Sequence, residues 1–235
     1  MNNWRLIWLV VILANVLQRT LGQGFLNLDF ESADLSAYGN GAQSVPTITA
    51  IPYWTAYAFG NPRSDVWFNG IYPSGSGVCI ENSNNPFGLP QVQGGNFIVV
   101  QGSNSRFYVG SAAIGQTGQI PSWAMSMILW GAMGTATTNV TFNGVFLPLS
   151  LTSVVYDSSG TNYAYAIYSA DVSTFAGQTG ELRFTAYANQ VLLFDNIQFS
   201  TSPVPEPSVI SLFGICTVFL CWVIMRPPKE TGHKR

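Results

Sequence analysis

The chain has 235 residues and a mass of 25.5 kDa, room for one medium domain between terminal segments. Only 9% of it is charged and the net charge is −2, so no nucleic-acid-binding surface is encoded. Its one histidine, His233, stands two residues from the end, which excludes a Ser-His-Asp triad, a Cys-His pair or a histidine-based zinc centre in the folded body.

At the N-terminus, Arg5 precedes the apolar run 6–14, and a polar stretch then ends in Thr20-Leu21-Gly22. The small residues Thr20 and Gly22 fit the −3 and −1 positions of a cleavage site before Gln23. Residues 1–22 are therefore expected to be a signal peptide removed by signal peptidase, with an uncleaved N-terminal helix as the alternative. The apolar run is short for a full bilayer span.

Residues 23–200 read as strands throughout. Leu26, Leu28 and Phe30 alternate with Asn27, Asp29 and Glu31, which predicts an opening strand. Residues 52–57 predict a second, and the apolar run 97–100, bounded by glycines, a buried third. Between 38 and 95 the rest, carrying Trp67 and Tyr72 among Gly, Pro, Asn and Ser, shows little regular pattern and is either functional loop or strand that the pattern does not reveal. Met125, Met127 and Leu129 alternate with Ser126, Ile128 and Trp130. Residues 140–142 and 145–147 flank Asn143-Gly144, a hairpin with a two-residue type I′ turn. Residues 151–156 and 163–168 flank a four-residue turn at 157–160, and 182–187 and 191–199 complete the series. About eight short strands with frequent turns predict an all-β fold, a single β-sandwich or jelly roll. Only 171–176 has room for a helical turn.

The segment 23–203 holds three arginines and no lysine against nine carboxylates, a net charge of −6. Its surface must then be largely Asn, Ser, Thr, Gln and Gly, which suits an extracellular, glycan-rich setting and gives no charge-based grip on DNA or anionic lipid. Cys79 is its only cysteine, so no internal disulfide is possible and the thiol is expected to act as a small buried hydrophobe.

Beyond a Pro-rich linker at 201–207, the run 208–225 carries no charge over eighteen residues, about 27 Å as a helix, enough for a transmembrane span. The tail 226–235 is basic and expected to stay cytoplasmic, which puts the body on the far side of the membrane. The order Pro205-Glu206-Pro207, one span, then Arg226 resembles the PEP-CTERM sorting signal of exported bacterial proteins. The resemblance implies recognition by an exosortase, a membrane Cys-dependent transpeptidase, and delivery to the cell envelope, surface or extracellular matrix. The tail departs from the family in being basic without being arginine-dense. A plain single-pass anchor is the alternative.

Residues 27–31 and 194–199 are similar to the opening and closing strands of galactose-binding-like jelly rolls, including many carbohydrate-binding modules. That resemblance implies a structural calcium held by Glu31 and Asp195. Independently, period-2 alternation places Asp195 on the face of Val191, Leu193, Ile197 and Phe199, where a carboxylate must be paired, hydrogen-bonded or bound to a cation. A bulge that turns Asp195 outward, or satisfaction by backbone N–H groups, are the alternatives.

Sugars dock on exposed aromatic rings, with amides reading their hydroxyls. Trp67 and Tyr72 around Asn69-Gly70 are the candidate ligand-binding residues, whereas Trp54 is expected in the core. The residues thus point to an exported, non-catalytic sandwich that binds polysaccharide or adheres. A structural component of the extracellular matrix without a soluble ligand is the second reading. A glycoside hydrolase, needing only two carboxylates, is a third.

Overall fold

The computed structural model describes residues 24–70, 75–85, 92–104, 109–133, 139–156 and 163–204. The expected signal peptide, the Pro205-Glu206-Pro207 triplet, the 208–225 span, the tail with Arg226, and Tyr72 lie outside the described residues.

The body is all-β. Its first strands are β1 (Gln43–Pro46), β2 (Thr55–Ala58), β3 (Asn61–Arg63), β4 (Asp65–Phe68), β5 (Gly77–Asn82) and β6 (Asn96–Gln101). A small ribbon, β7 (Ser103–Asn104) and β8 (Val109–Gly110), precedes β9 (Ala112–Gln119), β10 (Ser126–Met133), β11 (Asn139–Phe142) and β12 (Val145–Phe146). The last four are β13 (Ser150–Tyr156), β14 (Tyr163–Asp171), β15 (Thr179–Ala186) and β16 (Val191–Ser200). One helical turn, α1 (Thr47–Ala50), follows β1, and a 3₁₀ turn at Ser173–Phe175 fills the site expected for a turn.

Eight strands make one sheet, in the order β1-β4-β5-β6-β16-β10-β14-β13, and six make the other, β12-β11-β15-β9-β2-β3. Both are antiparallel except where β4 runs parallel to β5. The sheets face each other across one apolar core to which both contribute. Phe184 of β15 stacks on Phe194 of β16 with centroids 4.4 Å apart, and Phe30 and Trp54 pack around that pair. Trp54 is buried as expected, and its indole N–H donates to the carbonyl of Asn27 at 3.0 Å. A second, smaller cluster of Cys79, Val92, Phe97, Val99 and Leu193 lies on the outer face of the eight-stranded sheet, with Trp67, Trp130 and Tyr165 at its rim. Cys79 is fully buried there, a hydrophobe by placement.

The Asn143-Gly144 hairpin forms as predicted, both turn residues having positive φ (50° and 76°). The pairing of β13 with β14 also follows the sequence. The expected opening strand needs correction. Residues 26–31 are not a strand but a compact turn, with Asn27 and Phe30 in the left-handed region (φ 50° and 55°) and the Phe30 ring driven into the core. In place of a neighbouring strand, the Gln116 side-chain amide pairs with Leu26: its Oε1 accepts from Leu26 N–H at 2.6 Å and its Nε2 donates to Leu26 O at 2.9 Å. Of the two readings of 38–95, strand holds for much of the stretch, which supplies β1 to β5. The eight-residue β9, central in its sheet, carries little hydrophobic signal because Ala, Gly, Gln and Thr surround its one large apolar residue, Ile114. A Cβ at Gly118 of that strand would run into the Phe25 ring, so the close approach demands glycine.

Candidate functional site

Glu31 and Asp195 converge on one loop from opposite ends of the chain. The 26–31 turn delivers Glu31, whose Oε1 accepts N–H bonds from Gly95 at 2.7 Å and Asn96 at 2.9 Å. Gly94 has φ +59°, and a Cβ there would strike the Glu31 carboxylate. Asp195 accepts from Gln93 N–H at 3.1 Å through Oδ2 and from Asn196 N–H at 2.6 Å through Oδ1.

Asp195 is fully buried on the face of Leu193, as the alternation predicts, but Ile197 and Phe199 do not share that face. In β16 the pair Asn196 and Ile197 opposes the single residue Leu129 of β10, a bulge with Asn196 at φ 48°. The bulge reverses the pattern, so Phe194 and Ile197 enter the main core while Asp195 sits beside Leu193 on the outer face, under residues 92–95. Burial pushes its carboxyl up from 3.8 to about 8, and the Glu31 and Asp29 charges push the same way, against the pull of the two N–H bonds.

Glu81 is a third such acid and was not singled out by the sequence reading, although it is the one carboxylate following the apolar run 78–80. It is fully buried across from Phe97; its Oε1 accepts from Gly70 N–H at 3.0 Å, and its Oε2 has no partner among the described residues. Burial raises it from 4.5 to about 7. Glu81 and Asp195 thus flank Phe97 on the same outer face, one strand away on either side.

Of the predicted ligand-binding residues, Trp67 and Asn69 are among those described. Trp67 is half-buried against the outer cluster. Asn69 is fully buried with its amide spent inside the protein: Nδ2 donates to Asn40 O at 3.2 Å and Asn82 Oδ1 at 3.0 Å, and its Oδ1 accepts from Asn82 N–H at 3.1 Å. Asn69 is therefore a corner-bracing residue, with φ 46°, rather than one that reads a ligand.

A cleft of about 180 Å³ opens instead where β2 and β3 meet β4 and β5. Ala56, Ala58 and Val78 form its apolar wall, and Phe59 and the Arg63–Asp65 ion pair (3.2 Å) complete it. Ser44 Oγ donates to Asp65 Oδ2 at 3.0 Å and holds the carboxylate in place. The Phe59 ring is 45% exposed and its backbone is left-handed, φ 54°, a conformation rare for bulky side chains and enriched where a site is built. In the sequence, Phe59-Gly60 followed by Pro62-Arg63 reads only as a turn, so the cleft left no signal there.

No group of three or more His, Cys, Asp or Glu side chains that could hold a metal ion occurs among the described residues. Comparison with protein-family models, curated proteins and solved structures finds no match to this chain.

Proposed function

We propose that this is an exported, non-catalytic jelly-roll protein of the cell envelope or surface that binds polysaccharide or adheres through the cleft at Phe59, Arg63 and Asp65. The observation that carries the reading is an exposed aromatic ring beside a guanidinium–carboxylate pair in a concave, uncharged surround. The ring offers an apolar face to sugar C–H groups; the pair offers a fixed donor and acceptor to hydroxyls. The small volume suits one ring of a chain rather than a long oligosaccharide. A glycan array probed with the purified chain tests it: defined hits that disappear in Phe59→Ala support the cleft, and silence, or hits that persist in Phe59→Ala, reject it.

Several further features belong to the same reading. Signal peptidase removes residues 1–22, and an exosortase acts at the Pro205-Glu206-Pro207 signal after the 208–225 helix has held the precursor in the membrane. Hydrolysis is not proposed, because a two-carboxylate mechanism needs both acids at the substrate. Asp65 is the one carboxylate of the cleft, and Glu81 and Asp195 are closed off from solvent. A structural calcium at Glu31 and Asp195 is proposed as well. Supporting it are their anchorage to one loop and the raised Asp195 carboxyl, which burial and, to a lesser degree, the Glu31 charge push up and which a cation would lower. Backbone N–H groups are the competing means of satisfying these carboxylates. The second reading, a matrix component without a soluble ligand, is favoured by the uncovered side of the sandwich opposite the cleft.

A further inference from the structure

The described body begins and finishes at one end of the sandwich. Gly24 bridges Gln119, the last residue of β9. Ser200 closes β16 opposite Ser126, the first residue of β10, and Ser126 Oγ donates to Ser202 O at 2.7 Å. Residues 120–125 join β9 to β10 between these two exits. The 172–178 link packs beside them, Gly177 N–H donating to Ile120 O at 2.9 Å and Ile120 N–H to Gln178 O at 3.0 Å.

The 120–125 loop is tightly held. Ala124 N–H donates to Pro121 O at 2.9 Å, Met125 N–H to Ser200 O at 2.8 Å, and Ile120 and Ala124 are sunk in the core. Trp123 is left facing outward, 54% exposed, and Met125 is 41% exposed. The three segments that build this end, 118–126, 172–180 and 198–204, carry no charged residue; Asp171 and Glu181 stand at their margins. The cleft lies at the other end, where Ala58 pairs with Ala112 at the start of β9 and Phe59 N–H donates to Ser111 O at 2.9 Å. Eight residues of strand, about 24 Å, separate the two ends.

We infer that the Trp123 loop seats in the headgroup layer of a zwitterionic lipid bilayer, which turns the Phe59 cleft away from the membrane. The inference rests on the proposed span at 208–225. Ser208 stands four residues beyond Val204, at most about 14 Å of chain, against a headgroup layer about 5–8 Å deep. So short a tether keeps the exit end at the membrane surface. An indole is favoured at that depth, its apolar body towards the acyl chains and its N–H towards the headgroups. No charge within the three segments has to be desolvated there, and the flanking carboxylates disfavour an anionic surface.

The test uses the full chain in phosphatidylcholine vesicles that carry a nitroxide at the headgroup. In a Cys216→Ser, Cys221→Ser background a fluorophore is attached at Ser122→Cys or, at the cleft end, at Asn61→Cys; Cys79 is fully buried and stays unlabelled. Quenching at 122 and its absence at 61 are expected, with loss of at least about half of the quenching at 122 when Trp123→Ser is added. Equal quenching at the two positions, or quenching at 122 unchanged by Trp123→Ser, overturns the seating. The wild-type chain in the same vesicles reports separately on the span. Cys216 and Cys221 should resist a membrane-impermeant maleimide; their labelling would overturn the span, and the seating with it.

Discussion

Asp195 couples the chemistry of one residue to the stability of the whole. Its folded pKa of about 8 lies above the ordinary 3.8, so the native state holds a proton that the unfolded chain has already released. Stability is then full below about pH 4 and falls as pH rises towards 8, the reverse of the usual salt-bridged carboxylate. Glu81, raised from 4.5 to about 7, adds a loss of the same sign over a narrower window. A bound cation favours the ionised form and cancels the Asp195 part of the slope. In EGTA the melting temperature should fall between pH 5 and pH 8, and calcium should restore it at pH 8 more than at pH 5. Equal melting curves with and without calcium at pH 8 would remove the metal from the account. At this scale the sequence showed that Asp195 must be satisfied, but not how: a one-residue bulge at Asn196 has no compositional mark, and it turns Ile197 and Phe199 away from the face of the carboxylate.

Among the elements, those with local chemistry were legible and those defined by neighbours were not. The 139–146 hairpin follows from Asn143-Gly144, whose positive φ values only a few residue types tolerate. Gly144→Val should cost on the order of 1 kcal/mol in urea unfolding, since φ 76° strains any β-branched residue; unchanged stability would mean that the turn does not set the register. β9 was invisible because its small residues serve close packing rather than burial of bulk, and its strand character comes from β2 and β15 on either side. The 26–31 turn imitated a strand for the converse reason. Its apolar residues do reach the core side, but through left-handed corners and a side-chain amide rather than a ladder. The candidate site suffered most. Phe59, Arg63 and Asp65 are brought to one cleft by the β2–β3 and β4–β5 pairings, which no spacing along the chain announces.

For the molecule as a whole, the two sides of the sandwich differ: a cleft with the Arg63–Asp65 pair on one, an uncharged open edge on the other. The proposed role rests on export, with the ends of the chain serving transport. The most direct test is the intact mass of the protein recovered from the surface fraction of the cells that make it. The account predicts a chain that starts at Gln23 and has lost its C-terminal hydrophobic segment near the Pro205-Glu206-Pro207 triplet. Recovery of the full 235-residue chain from the cytosol, unprocessed at both ends, would contradict it.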